Sequence, residues 1–401
     1  MIRRPIAIMS ETAEYRFAAT CAVRPVHVER IRQASRAIGD WNLLFRIAKR
    51  HGLVGLVVDA MRTAGVGVPE PFERAARRRG RAALRQAGEA LRLRALLTDA
   101  GIASLSLKGT SLARRLYGAL GIRDSVDIDI AVSPDMVARA WDVLAGAGYI
   151  TIIPERRLSG TTLRTFQIVA KDSFHRHPKG MIVELHWRLS DDLADPSVPL
   201  PATWRQIEVA PNQSLAMLDD EALFVYLCVH GAAHGWARLK WLADIGTMLA
   251  SSDDGGNAYW RAARRLQACR AAASGIILAH RLFATALPSD FPDPRSLRLS
   301  LLLKLAVRTI VAGGGTRDLS TTRYRGWVEF TAKLLIAPTR RNIFATLRRL
   351  VISGDDVGRL ALPRGCGWLY PILRIPMLVR RRMLRSKLRL VQDALSANRT
   401  R

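Results

Sequence analysis

Two segments decide the fold of this chain: Ile102-Ala-Ser-Leu-Ser-Leu-Lys-Gly-Thr110 and Val126-Asp-Ile-Asp-Ile-Ala-Val132. Each alternates apolar residues with small or polar ones, which is the pattern of a strand with one buried face. Between them, residues 111–116 have a short helical pattern that Thr110 or Ser111 can cap. The order of strand, glycine turn, helix and strand predicts a small domain in which helices pack against a sheet.

The rest of the chain divides around this unit into three regions. Residues 1–99 carry apolar residues at three- and four-residue steps, which predicts an N-terminal helical region. Residues 100–198 form the predicted α/β core. Further strands are expected there at 149–153, 166–171 and 181–189. Residues 199–401 lose most strand signals, so we predict a helical C-terminal region with a basic tail.

The composition permits a large core and carries an unusual charge. The chain has 401 residues, of which 49% are hydrophobic and 24% charged, so wholesale disorder is excluded. Lys and Arg number 62 against 34 Asp and Glu, giving a net charge of +28. This excess indicates either a polyanionic partner or an Arg-rich solvated surface, and net charge alone does not decide between them.

The cysteines and the hydropathy predict a soluble, cytoplasmic protein. Cys21, Cys228, Cys269 and Cys366 are far apart and form no CxxC pair. Neither a disulfide framework nor a cysteine-based zinc site is therefore expected. No uncharged apolar run reaches the ~18 residues of a transmembrane helix, and the N-terminal apolar stretch is too short for a signal peptide.

Asp127 and Asp129 are the residues that point most directly to chemistry. At i and i+2 on a strand they share one face, while Ile128 and Ile130 share the other. Two neighbouring carboxylates repel each other, and a divalent cation offsets that cost. Mg²⁺ prefers one or two carboxylates together with substrate phosphates. The alternative is a chance pattern on an edge strand or at a loop mouth.

The Gly109-Thr110 turn supplies the second half of this pattern. A glycine between a strand and a helix lets the backbone approach a phosphate closely, and the helix N-terminus attracts anions. Lys108 and Arg123 place cations on either side. Arg123 either neutralises phosphate charge or only orders the carboxylate strand. Turn, cations and acids together fit phosphoryl or nucleotidyl transfer.

Glu184 is the candidate for a third acid. It lies on the predicted strand at 181–189, where Glu184 and His186 share the face opposite Val183 and Leu185. Metal-assisted transfer needs a further acid to hold the ion or to take the proton of the attacking hydroxyl. The alternative is that Glu184 is a solvent-facing strand residue.

These segments together resemble a family of known fold. Leu107-Lys-Gly-Thr110, Asp127-Ile-Asp-Ile-Ala-Val132 and Val183-Glu-Leu-His-Trp-Arg-Leu189 resemble a nucleotidyltransferase family of bacterial proteins within the polymerase-β-like nucleotidyltransferase superfamily. Residues 227–245 are similar to that family's helical signature. The resemblance implies an α+β fold: a small mixed-sheet nucleotidyltransferase core flanked by an N-terminal helical segment and a mostly helical C-terminal half.

The resemblance also implies roles for the motif residues. Asp127 and Asp129 are implied to be metal ligands, Glu184 is the third acid, and Gly109-Thr110 lies at the triphosphate. The family more often has Asp at the position of Glu184. A glutamate is one methylene longer and can still reach a metal.

His230 and His234 stand at i and i+4 on one face of a predicted helix. Two such histidines can bind zinc, but a third ligand is needed and no HExxH pattern is present. Helix packing and a substrate-side position are the alternatives that we favour. His175 and His177 precede the Glu184 strand and are expected to be loop residues, with phosphate contact as the alternative.

The C-terminal tail from Val357 onward is rich in Lys and Arg and has one acid, Asp393. Apolar and aromatic residues, including Trp368 and Tyr370, are interleaved with the basic ones. Such a segment can lie on an anionic membrane or contact a nucleic acid backbone. The alternative, which we favour, is a C-terminal helix that packs its apolar face on the body.

We therefore predict an enzyme, a nucleotidyltransferase that uses Mg²⁺ (or Mn²⁺) to move a nucleoside monophosphate from an NTP to an acceptor hydroxyl or phosphate. The predicted metal ligands and catalytic residues are Asp127, Asp129 and Glu184. The residues predicted to bind the NTP are Lys108, Gly109, Thr110 and Arg123, and those predicted to face the substrate are His186, His230 and His234. The alternatives are a catalytically inactive nucleotide- or nucleic-acid-binding module of the same fold and an enzyme that modifies protein side chains.

Overall fold

The fold is taken from a computed structural model of the chain. The residues that it describes are 12–190, 204–292, 296–319 and 324–351, with the single positions 357, 369, 372 and 373. Apart from those single positions, the basic tail lies outside the described residues. Its predicted contact with membrane or nucleic acid therefore stays a prediction.

In the described part of the chain, seven strands form one mixed sheet. The strands are β1 (Ser104–Ser106), β2 (Ile128–Val132), β3 (Ile150–Ile153), β4 (Asp172–Arg176), β5 (Ile182–His186), β6 (Trp204–Ala210) and β7 (Gln213–Leu218). Their order across the sheet is β3-β4-β5-β2-β1-β7-β6. The pairs β2–β5 and β1–β7 are parallel and the other pairs are antiparallel. The predicted α+β class with a mixed sheet is confirmed.

Along the chain, helices come before the sheet, between its strands and after it. Before the sheet come α1 (Ala13–Thr20), α2 (Val28–Ser35), α3 (Trp41–His51), α4 (Val54–Thr63) and α5 (Glu70–Asp99). Between the strands lie α6 (Thr110–Tyr117), α7 (Val137–Gly146) and α8 (Gly160–Val169). After the sheet come α9 (Asp220–Ala233), α10 (Leu239–Ala250), α11 (Asn257–Arg265), α12 (Cys269–Phe283), α13 (Leu297–Ile310), α14 (Arg325–Ile336) and α15 (Arg340–Val351).

The acid-bearing strand β2 lies in the interior of the sheet. It is flanked by β5 on one side and β1 on the other, and all five of its residues are buried. A strand covered on both faces reads as nearly continuous apolar sequence. The buried carboxylate of Asp129 is therefore the exception that requires an explanation. The central position excludes the edge-strand alternative.

The structure corrects two sequence predictions about strands. Residues 166–171, predicted as a strand, belong mostly to α8, because Leu163 and Phe166 are buried three residues apart on one helical face. The strand β4 follows it. Residues 204–218, which the sequence placed in the helical C-terminal region, form β6 and β7. There Ile207 and Val209 alternate with exposed residues.

The helical pattern over residues 220–249 is divided by a buried tryptophan. The chain turns between α9 and α10 at Gly235 and Trp236, which have φ of 60° and 51°. The Trp236 ring packs so closely on Gly231 that a β-carbon there would lie 2.2 Å from a ring atom. The indole N–H donates to Ser274 Oγ at 2.9 Å. Tertiary packing of one side chain thus ends the first helix.

Among the helices in the described ranges, none combines the length and apolar character needed to cross a bilayer. Cys21, Cys228 and Cys269 are free thiols.

Candidate active site

The site begins with two acids on neighbouring parallel strands. Asp129 of β2 is paired in register with Glu184 of β5, so their side chains leave the sheet on the same face. Asp129 is 1% exposed, whereas the side chain of Glu184 is 17% exposed. The sheet register therefore brings together two of the three predicted acids.

His186 completes a cluster of potential metal ligands with these acids. Its Nε2 lies 3.3 Å from Asp129 Oδ1 and 3.5 Å from Glu184 Oε2. One ligand atom from each of the three residues lies within 4.8 Å of the others. The structure places His186 beside the acids, and its predicted contact with the substrate stays a prediction.

Lys108 lies among the carboxylates. Its Nζ is 2.5 Å from Asp129 Oδ1, 3.6 Å from Asp127 Oδ2 and 3.9 Å from Glu184 Oε2. Burial alone would lower the pKa of Lys108, but the three carboxylates outweigh it and raise that pKa well above its usual value. Lys108 is therefore a charged ammonium ion that neutralises part of the acid cluster. Asp127, with its side chain 26% exposed, lies on the open side of this lysine.

The pKa values of the two strand acids shift in opposite directions. Burial would raise the pKa of Asp129, but Lys108 and His186 outweigh it and hold the pKa well below the usual range. Burial raises the pKa of Glu184, and its contacts with His186 and Lys108 compensate only in part. Asp129 is therefore the firmly ionised member of the pair.

The Gly109-Thr110 turn borders the same acids. Gly109 precedes α6 with a φ of 80°, a conformation that side-chain-bearing residues rarely adopt. A β-carbon at this position would lie 3.3 Å from Ser125 Oγ and 3.5 Å from the Asp127 carbonyl oxygen. The turn and the segment that leads into β2 are thus in close contact, as the proposed phosphate site requires.

Replacing Gly109 with alanine is expected to lower the free energy of unfolding by about 1–3 kcal/mol, because the backbone conformation is strained for any L side chain. Urea denaturation followed by circular dichroism measures this. Gly146→Ala is the control: Gly146 closes α7, and nothing lies within 4 Å of an added β-carbon. Equal stability of the two variants would contradict the strain at Gly109.

Arg123 has its hydrogen bonds directed away from the acid cluster. Its guanidinium donates to both carboxylate oxygens of Asp244, with Nη2 to Oδ2 at 2.8 Å and Nε to Oδ1 at 2.9 Å. Tyr117 donates its hydroxyl to the same carboxylate at 2.9 Å. This geometry favours the ordering role of Arg123 over the phosphate contact, which stays a prediction.

His230 and His234 lie beside the acid cluster on α9 and at its C-terminal end. Their ring centroids are 4.9 Å apart, and each ring packs against Trp241. His234 Nδ1 donates to Glu329 Oε1 at 3.0 Å. Burial lowers the pKa of His230, and the nearby His234, Lys108 and Lys171 lower it further. Within the described residues neither histidine belongs to a three-ligand cluster, so a substrate-side position stays a prediction.

Lys171 and Asp172 are site residues that the sequence reasoning missed. The Lys171 ammonium pairs with the Asp172 carboxylate, whose Oδ2 lies 3.7 Å from His186 Nδ1. Lys171 ends the segment predicted as a strand at 166–171, and Asp172 is the first residue of β4. The segment Asp172-Ser-Phe-His-Arg176 has a single apolar residue, so no apolar alternation marked it as a strand, although burial alternates along it.

His175 and His177, expected in a loop, have structural positions. His175 lies within β4, is buried, and its Nε2 is 2.8 Å from Ser173 Oγ. Burial lowers its pKa to about 4. His177 packs its ring on Tyr149 at a centroid distance of 5.2 Å. The loop prediction is wrong for His175, because the strand expected at 166–171 lies at Asp172–Arg176 instead.

The donor set of the cluster fits a divalent cation. Two carboxylates and an imidazole converge, and Asp129 Oδ2 is buried without a hydrogen-bond partner among the described residues. A buried carboxylate oxygen without a donor is costly unless a cation satisfies it. Asp129, Glu184 and His186 are therefore the residues that would hold such an ion, and Asp127 lies beyond this group.

Comparison with known proteins gives one match. A family model described as "Uncharacterised nucleotidyltransferase" matches residues 39–284, which is more than half of the chain. No curated protein and no solved structure matches the chain.

Proposed function

The chain belongs to this family of uncharacterised nucleotidyltransferases, and we propose that it is an active, metal-dependent enzyme that transfers a nucleoside monophosphate from an NTP to an acceptor hydroxyl or phosphate. The observation that carries the proposal is the meeting of Asp129, Glu184 and His186 beside the Gly109 turn. A bound divalent cation would supply charge neutralisation and orientation for the triphosphate.

The residues of the chain have distinct parts in this reaction. Gly109 and Thr110 bind the triphosphate through the backbone at the start of α6, and Lys108 reaches the same phosphates from the acid cluster. The acceptor oxygen forms a bond to the α-phosphorus. The bond from that phosphorus to the bridging oxygen breaks, and pyrophosphate leaves with the electron pair. The acceptor's proton passes to a base or to water.

The acceptor would enter over His230, His234 and Trp241. This proposal is supported by the position of the rings: Lys108 and Asp129 are close enough to affect the pKa of His230. The side chain of His234 remains 31% exposed although Glu329 orients it. A partly open, ring-lined wall next to the acids suits an acceptor that must approach the α-phosphorus.

The test is transfer of label from each of the four α-³²P-labelled NTPs, with Mg²⁺ or Mn²⁺, to small-molecule, RNA and protein acceptors. We expect pyrophosphate release with one or more NTPs, together with labelled product. Intact-mass analysis of the protein would detect self-modification as a nucleotide-sized mass gain. No label transfer and no pyrophosphate with any combination would count against the enzyme.

A second candidate is a binding module that keeps the fold without the chemistry. The observation that favours it is Lys108, whose ammonium already neutralises the acids that an ion would hold. Calorimetry distinguishes the two: tight NTP binding without pyrophosphate release in either metal supports the module.

A further inference from the structure

His186 stands between three carboxylates, two near its Nε2 and one near its Nδ1. Nε2 faces Asp129 and Glu184 at 3.3 and 3.5 Å, while Nδ1 faces Asp172 Oδ2 at 3.7 Å. The sheet fixes this arrangement, because His186 pairs in register with Asp172 of β4 and with Ala131 of β2. His186 is 1% exposed, so its ring cannot turn out to solvent.

A histidine that binds a metal places one ring nitrogen on the ion and leaves the other for a neighbouring group. Such a histidine almost always donates its second N–H to a carboxylate, which fixes the tautomer and directs the other nitrogen's lone pair at the ion. Asp172 Oδ2 lies 3.7 Å from Nδ1, beyond hydrogen-bond distance, and Nδ1 has no hydrogen-bond partner among the described residues. A proton on Nδ1 would leave Nε2 with a lone pair between Asp129 and Glu184. The Lys171 ammonium holds Asp172 from its other side.

The cluster therefore differs in kind from a site made only of oxygens. Mg²⁺ binds through carboxylates, phosphates and water, whereas imidazole is a ligand of first-row transition ions. A buried imidazole nitrogen among the ligands therefore adds little to the affinity for Mg²⁺ and more to the affinity for a transition ion. Asp129 Oδ2, which has no hydrogen-bond partner in the described part of the chain, is free to serve the same ion.

We propose that Asp129, Glu184 and His186 form a mixed carboxylate–imidazole site that selects a first-row transition ion over Mg²⁺, with Asp172 as the positioning residue of His186. This inference rests on the proposed function, but its test measures metal binding and not catalysis.

The experiment uses full-length, metal-stripped protein titrated with Mn²⁺ and followed by electron paramagnetic resonance, with and without a non-hydrolysable NTP analogue. Pulsed measurements detect a ¹⁴N nucleus bound to Mn²⁺. We expect a ¹⁴N coupling in the wild-type protein that changes to a ¹⁵N coupling after growth with ¹⁵N-labelled histidine. We also expect Mg²⁺ to compete at least about tenfold more weakly than Mn²⁺.

Three variants assign the coupling to the residues named. His186→Gln should lose the histidine coupling and most of the preference for Mn²⁺. Asp172→Asn should keep the coupling and weaken Mn²⁺ binding about 10- to 100-fold. His27→Gln is the matched control and should change neither measurement, because His27 is exposed and stands outside the cluster.

Three outcomes would overturn the proposal: no Mn²⁺ binding in either nucleotide state, bound Mn²⁺ without a histidine nitrogen, or equal competition by Mg²⁺. The isotope measurement needs no variant, so it decides even if His186→Gln does not fold. A nitrogen-coupled ion in a protein that transfers no nucleotide would leave this inference standing and remove the proposed function.

Discussion

Nucleotidyl transfer by the Asp129→Asn protein is expected to fall by roughly 10³-fold while the protein stays folded. Asparagine has the shape of aspartate but no charge, so it cannot offset the charge of a divalent cation or a triphosphate. Asp129 contacts Lys108 and His186 at once and is the buried member of the acid group. Its loss should therefore cost more than that of Asp127, which is only partly buried.

The fold should survive this change because Lys108 keeps two other acids. Asp127 Oδ2 and Glu184 Oε2 remain at 3.6 and 3.9 Å from its Nζ. Release of labelled pyrophosphate measures the activity, and circular dichroism with thermal melting measures the fold. Asp253→Asn, at an exposed position, is the control and should retain full activity. Unchanged turnover in the Asp129→Asn protein would remove the mechanism.

The local parts of this site were predictable from sequence. Alternation over residues 126–132 placed Asp129 on a strand, and the glycine before a short helix placed the turn. Both signals depend on side chains a few residues apart, whose geometry the backbone fixes. These are the parts of the prediction that needed no knowledge of the rest of the chain.

The ligand set was not predictable in the same way. The i, i+2 rule grouped Asp127 with Asp129, but the nearest partners of Asp129 come from β5 and from Lys108 before the turn. Which residue of β5 faces Asp129 depends on the register of two strands far apart in sequence. A shift of one residue would have turned both Glu184 and His186 to the other face.

Arg123 shows the same limit for an ion pair. Its sequence position beside the acid strand suggested a phosphate contact or an ordering role, and its partner Asp244 lies 121 residues further along the chain. Asp244 is 0% exposed and lies in α10, within the segment that carries the helical signature. The local sequence does not distinguish a buried ion pair from a phosphate contact, because it shows the same arginine near the acid strand in both cases.

Replacing Asp244 with asparagine is expected to lower the free energy of unfolding by about 3–5 kcal/mol, because it leaves Arg123 buried without a counter-charge. The side chains of Arg123 and Asp244 are 3% and 0% exposed, so water cannot replace the lost partner. The pair joins the segment before β2 to α10, and its loss should loosen the approach to the acid cluster. Urea denaturation of the full-length protein measures the change.

A double-mutant cycle separates the ordering role of Arg123 from a substrate role. Arg123→Met alone should destabilise the protein, whereas Arg123→Met combined with Asp244→Leu should recover part of the loss, because neither charge is then left unpaired. The exposed pair of Arg157 and Asp142, changed in the same way, is the control and should show coupling below about 1 kcal/mol. A double variant that regains stability and also retains the wild-type KM for NTP would establish that Arg123 acts on the fold. If KM rises while stability is regained, Arg123 contacts the nucleotide, and the ordering role derived from its bond to Asp244 is wrong.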